Sequence, residues 1–120
     1  ENKEIYMMNI NANQDEELEY EKIFAEQLTF TRANEMSMDI VNKGVSKATG
    51  AEKMISALGV HRQNTFAFGD GLNDMEIIQF VGTGVAMENG FEELKATADF
   101  VTDSVFNHGI ANGLKKLELI

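Results

Sequence analysis

The sequence predicts an α/β fold built on a parallel sheet with helices on its faces. Three observations predict it. Short apolar segments of strand length alternate with amphipathic helical segments from Ser46 onward. Capping residues and glycine stops fall at the changeovers between them. Finally, 43% of the 120 residues are hydrophobic, which allows a real core without cysteine staples.

Residues 1 to 41 read as one part and residues 42 to 120 as another. The acidity is uneven, with 10 acids against 3 bases in residues 1 to 40 and 10 against 7 in residues 41 to 120. In the first part, Ile5 to Ile10 is predicted as a strand. Asn13, with Glu16 three residues on, is predicted to form a capping box opening a helix. That helix places Tyr20, Ile23, Phe24 and Leu28 on one face, which should pack on a sheet. Thr29 to Arg32 and Met36 to Val41 have strand content around the turn-prone Ala33-Asn34-Glu35, so a hairpin is expected.

In the second part, Ser46 is a natural N-cap, and Ala51, Met54, Ile55 and Leu58 follow helical spacing up to the stop at Gly59. Thr65 to Phe68 is a short buried strand ending at Gly69-Asp70-Gly71, after which Asn73 is expected to cap a helix carrying Ile77, Ile78 and Val81. Gly84 to Met87 is a second strand. Asn89 and Glu92 are expected to form another capping box, and Phe100 to Thr102 is a third strand. A last helix from about Asn107 uses Ile110, Leu114 and Leu117, with Lys115 and Lys116 near its negative end. The methionines, including Met7, Met8, Met54 and Met87, are expected to fill core positions.

Composition excludes several function classes. The absence of cysteine rules out a disulfide framework, a thiolate nucleophile and Cys-ligated zinc. The net charge of −10 disfavours nonspecific binding to nucleic acid or anionic lipid, which depends on neutralising phosphates with Lys and Arg. No apolar run approaches the roughly 18 to 20 residues needed to cross a bilayer. The chain reads as cytoplasmic, with neither nucleic acid nor membrane as a partner. It does not open with Met, which suggests a processed or excised segment.

The chemistry concentrates at Phe68-Gly69-Asp70-Gly71-Leu72-Asn73-Asp74, directly after an apolar strand. In open α/β sheets, ligands bind beyond the carboxyl ends of the strands. Asp70 and Asp74 are four residues apart, and a Gly-flanked turn running into a helix can bring their carboxylates together. Hard oxygens on an open loop suit Mg²⁺, which takes one or two carboxylates plus waters and substrate phosphate. Asn73 can offer its amide to a phosphate oxygen. The plainer reading of the same string is a turn with a helix cap. Lys47 stands in the first turn of a helix, an unfavourable place for a cation unless an anion binds there too. Its plainer reading is a solvated surface lysine. His61 and His108 are given no role.

In order and spacing, Val45-Ser46-Lys47, Leu58-Gly59-Val60, Phe66 to Asp74, Gly84 to Asn89 and His108-Gly109-Ile110-Ala111 resemble the haloacid dehalogenase (HAD) superfamily, and more narrowly its Cof-type phosphatases. The likeness runs from about Asn42 to the end. It implies a Rossmann-like core and Mg²⁺-dependent hydrolysis of phosphate esters through an aspartyl-phosphate. By that likeness Lys47 steadies nucleophile and phosphate, Asp70 is the metal carboxylate, and Asp74 holds the metal directly or through water. Asn73 lies near the phosphate. Residues 1 to 41 would be the trailing portion of an α/β cap, residues 42 to 120 the C-terminal portion of the core, and the substrates small phosphorylated sugars or cofactors.

The chain also departs from that family. Such enzymes open with a strand ending in Asp-x-Asp, whose first Asp is the nucleophile, and no Asp-x-Asp occurs in these 120 residues. Neither Lys47 nor Asp70 can replace it in geometry or role. The expectation is therefore a C-terminal fragment, inert alone, completed by its N-terminal part or by a second copy. The strand at Thr65 to Phe68 would otherwise keep an unpaired edge. Two other readings stay open: a noncatalytic module binding Mg²⁺ and phosphate, and a receiver-like domain phosphorylated on a strand-end Asp.

Overall fold

The computed structural model describes residues 4–120; residues 1–3, at the start of the segment predicted over residues 1 to 41, lie outside the described residues. The chain divides into two compact units, the first ending at Ser46 and the second running over Lys47–Ile120.

The first unit contains β1 (Met7–Asn11), α1 (Gln14–Phe24), β2 (Leu28–Asn34) and β3 (Ser37–Asn42). The sheet order is β1-β3-β2 and both pairings are antiparallel. In β3 the buried Met38 and Ile40 alternate with half-buried Ser37, Asp39 and Val41, the period of two that a sheet with one covered face imposes. The register sets Met8 and Phe30 on either side of Ile40, and Ile10 and Arg32 on either side of Met38. Arg32 ties this face to α1. Its Nε donates to Glu17 Oε2 at 2.7 Å, and its Nη1 donates to the carbonyls of Ala12 and Glu35 at 3.1 and 2.9 Å.

The predicted capping box is present: Asn13 Oδ1 accepts the N–H groups of Asp15 and Glu16 at 3.0 Å, and Glu16 accepts from Asn13 N at 2.8 Å. The end of α1 differs from expectation. The helix stops at Phe24, a turn closes with Gln27 N donating to Phe24 O, and Leu28 opens β2 instead of extending the helical face. No Gly or Pro marks that stop, so apolar spacing alone carried the helix too far. Nor is any residue of α1 buried: Leu18, Tyr20, Ile23 and Phe24 are exposed.

The second unit holds α2 (Lys47–Leu58), β4 (Phe66–Gly69), α3 (Met75–Phe80), β5 (Thr83–Met87), α4 (Glu92–Thr97), β6 (Phe100–Thr102) and α5 (Gly109–Lys116). The sheet is β4-β5-β6, all parallel, as the strand and helix alternation predicts. The central strand β5 has Gly84, Val85, Ala86 and Met87 all buried, the continuous burial of a strand covered on both faces. On one face, Ala67 and Ala86 pack with Ile78 of α3 and Leu94 of α4. On the other, α5 approaches so closely that a Cβ on Gly113 would sit 2.4 Å from the Phe68 ring. Gly59 ends α2 in the left-handed conformation, φ +66, as a glycine stop should.

Two expectations about side chains fail here. Met87 and Met38 are core residues, but Met7, Met8 and Met54 are exposed. Leu58 is exposed too, so only Ala51 and Ile55 of the predicted α2 face are partly covered. Among the described residues no helix is long and apolar enough to cross a membrane.

Candidate active site

The turn after β4 is built by one side chain. Asp74 is buried, and its Oδ2 accepts the backbone N–H groups of Asp70 at 3.0 Å and Gly71 at 3.1 Å. Its other oxygen, Oδ1, is paired with Lys47 Nζ. Gly69 makes this compact arrangement possible, since a Cβ there would lie 2.6 Å from Asp74 Cβ. The chain then passes through a single turn of 3-10 helix, Leu72–Asp74, into α3.

Four predicted site residues therefore fall into different situations. Lys47 and Asp74 meet directly, so the anion expected at the start of α2 is supplied by the chain itself. The Lys47 side chain remains about half exposed, 48%, while that of Asp74 is 11% exposed. Asp70 is exposed, and its Oδ2 accepts from Asn89 Nδ2 at 3.2 Å. Asn73 does not cap α3: the N-cap position is Asp74, without a side-chain cap bond, and Asn73 lies half-buried in the preceding turn.

Asp70 and Asp74 thus differ in what they can offer a cation. Both oxygens of Asp74 already have partners, Oδ2 within the loop and Oδ1 on Lys47 of α2, whereas the carboxylate of Asp70 is open to solvent on one side. Lys47, Asp70 and Asp74 line one cavity of about 350 Å³ together with Phe68, Gly69, Met87, Val105 and Ile110. A cation, a carboxylate and an apolar wall around a hollow of this size can hold a small anionic ligand with a divalent ion beside it. The described residues include no group of three or more His, Asp or Glu able to hold a metal unaided. One or two carboxylates fit Mg²⁺ when water and substrate oxygens complete its shell.

The second expected capping box is replaced by something else. The N-cap of α4 is Phe91, without a side-chain cap bond, and Asn89 turns its side chain elsewhere. Its Oδ1 accepts the Val105 N–H at 2.7 Å, and its Nδ2 reaches Asp70. Reading Asn89 by its spacing to Glu92 missed this. The available signal was its place just past the carboxyl end of a parallel strand, where site residues gather.

A family model of haloacid dehalogenase-like hydrolases matches residues 1–114. The chain is 43% identical over 120 residues to YkrA of Bacillus subtilis (strain 168), a candidate phosphatase, covering 100% of this chain and 46% of that one. It is 34% identical to YcsE of the same organism, a 5-amino-6-(5-phospho-D-ribitylamino)uracil phosphatase, over 74% of this chain and 36% of that one. Among solved structures it is similar to BT4131, a HAD subclass IIB sugar phosphatase. The TM-score there is 0.83 with 30% identity, covering 98% of this chain and 45% of that one. The chain thus spans less than half the length of each of these three relatives.

Proposed function

Because the chain belongs to the haloacid dehalogenase-like hydrolases, we propose that it is the C-terminal part of a Mg²⁺-dependent phosphatase acting on small phosphorylated metabolites such as sugar phosphates or cofactors. The observation that carries this reading is the cluster of Lys47, Asp70 and Asp74 at the carboxyl end of β4, beside a cavity of about 350 Å³. Residues 42 to 120 are then the C-terminal portion of the core and residues 1 to 41 the trailing portion of a substrate-selecting cap. The names of YcsE and BT4131 support the substrate class. A cytoplasmic setting belongs to the same proposal, and the lack of cysteine permits it.

The roles are those the family resemblance implies, and the geometry supports them. Lys47 is held by Asp74 and half exposed, so it presents a fixed cation to phosphate oxygens and to charge that develops as the phosphoryl group moves. Asp74 braces the loop through two backbone N–H groups and the Lys47 ammonium, so its share in holding a metal is through water. Asp70 offers the open carboxylate that would hold Mg²⁺, and the ion when bound neutralises phosphate charge. Asn73, one residue before Asp74, is assigned to the phosphate side. The attacking carboxylate, which forms the aspartyl-phosphate as the ester P–O bond breaks, is supplied from outside these 120 residues, since they contain no Asp-x-Asp. The source of that carboxylate is therefore the N-terminal part of the same protein, while the edge of β4 left unpaired among the described residues is completed by that part or by a second copy.

The test is phosphate release from an aryl phosphate, with and without Mg²⁺, by this chain and by the chain extended upstream. Activity is expected only in the extended protein, and it should be lost in Lys47→Ala and Asp70→Asn. Turnover by the 120 residues alone would place the nucleophile here and overturn the assignment. Mg²⁺ and phosphate binding without turnover in the extended protein would instead favour a noncatalytic binding module.

A further inference from the structure

We infer that Asn89 is a positioning residue that aims the Asp70 carboxylate, and that its own orientation is set by the backbone N–H of Val105. This rests on the proposed role of Asp70 as the metal carboxylate. An asparagine amide has an accepting end and a donating end, and the neighbours decide which way it faces. The Val105 N–H can only donate, and it lies 2.7 Å from Asn89 Oδ1. The Asn89 NH₂ group is thereby turned to Asp70 Oδ2, 3.2 Å away. One carboxylate oxygen is engaged by a neutral donor, which leaves Asp70 its full charge and its other oxygen for a cation.

The backbone makes the same connection. The Asp70 carbonyl accepts the Phe91 N–H at 3.2 Å, and Gly90 N donates to Met87 O at 2.9 Å. Gly90 passes so near that a Cβ on it would be 3.0 Å from both Cα and O of Asp70. The segment Glu88 to Phe91 therefore clamps Asp70 by main chain and side chain together, with Val105 as the outer anchor. Hydrogen-bond partners that fix a ligating group commonly change metal affinity by about 10- to 100-fold when removed. The Asn89 bond is solvent-exposed, which places the expected effect at the lower end.

The experiment measures the Mg²⁺ dissociation constant of the full-length protein by calorimetry, together with thermal unfolding, for wild type, Asn89→Ala, Val105→Pro, their double variant and Asp70→Asn. Val105 is the first residue of a helical turn and follows Ser104 at ψ 162, so proline fits the backbone there and removes the N–H. Because the Val105 side chain also lines the cavity, Val105→Ala, which keeps the N–H and should keep the wild-type Mg²⁺ constant, is measured beside it. Asn89→Ala is expected to weaken Mg²⁺ binding about tenfold. Val105→Pro should weaken it in the same direction although it touches neither Asp70 nor the ion. Because the two act in series, the double variant should be no weaker than Asn89→Ala alone. Asn89→Ala and Val105→Pro that unfold earlier but keep the wild-type Mg²⁺ constant would reduce Asn89 to a loop brace and overturn the inference. Asp70→Asn binding Mg²⁺ like wild type would overturn the metal assignment itself, and the inference with it. The two failures are distinguishable, because in the first Asp70→Asn still loses Mg²⁺ binding and in the second it does not.

Discussion

Asp70 and Asp74 carry the same functional group in the same loop, yet removing each should have a different consequence. Asp74 is buried and accepts two backbone N–H groups while pairing with Lys47, so Asp74→Ala leaves two donors without a partner and frees a cation. Losing hydrogen bonds to a charged group in such a place costs about 2 to 3 kcal/mol. Asp70→Asn removes a charge at an exposed position and should change stability by no more than about 0.5 kcal/mol. Urea unfolding of both variants checks this. Equal losses would mean that the loop is not braced as described. Asp70 and Asp74 were legible as one place, because spacing after a strand and before a helix is visible in a linear string, whereas Lys47 was joined to them only by the family resemblance. The spacing did not show which carboxylate faces inward. That division depends on Gly69 letting Asp74 fold back under the turn, and on a cation brought in from 27 residues away. Asn89 was harder still, since its partners Asp70 and Val105 lie 19 and 16 residues distant.

At the level of elements, two helical glycines should respond oppositely to alanine. Gly50 lies inside α2 with nothing within 4 Å of a Cβ and no positive φ, so only helix propensity acts. Gly50→Ala should stabilise the second unit by about 0.5 to 1 kcal/mol. Gly113 in α5 faces the Phe68 ring at 2.4 Å and Thr102 Oγ1 at 3.2 Å from a Cβ, and the Thr102 hydroxyl already donates to Gly109 O at 2.8 Å. Overpacking there outweighs the propensity gain, and Gly113→Ala should lose about 1 to 2 kcal/mol. Thermal unfolding of the pair decides it, and a stabilised Gly113→Ala would show that α5 can lift off the sheet without cost. The same contrast explains what sequence could say about elements. Starts were readable where a side chain performs the start, as at Asn13. Ends were not readable where only the backbone turns, as after Phe24. The exposure of Met54 and Leu58 was likewise hidden, because periodicity says which side chains share a face and not whether anything covers it.

On the scale of the whole molecule, β4 is the end strand of its sheet, pairing with β5 on one side and with no strand on the other among the described residues. Unpaired strand edges recruit other chains. A net charge of −10 on each copy opposes that recruitment, and the repulsion is screened over about 8 Å at physiological ionic strength. The balance should therefore tip with salt. At low ionic strength charge dominates and the 120-residue chain should sediment as a monomer, while at high ionic strength its copies should associate. Phe66 opens β4 and is 40% exposed, so Phe66→Lys adds an edge charge that should suppress the association without touching Lys47, Asp70 or Asp74. If the upstream part of the proposed phosphatase pairs with β4, the full-length protein should show no such salt dependence. Sedimentation velocity across a salt series, on this chain, on Phe66→Lys and on the full-length protein, separates the cases. A chain that stays monomeric at every salt concentration would mean the β4 edge is not where completion happens. Association that Phe66→Lys leaves intact would move the contact elsewhere, to the exposed Leu18, Tyr20, Ile23 and Phe24 of α1 as the next surface to test.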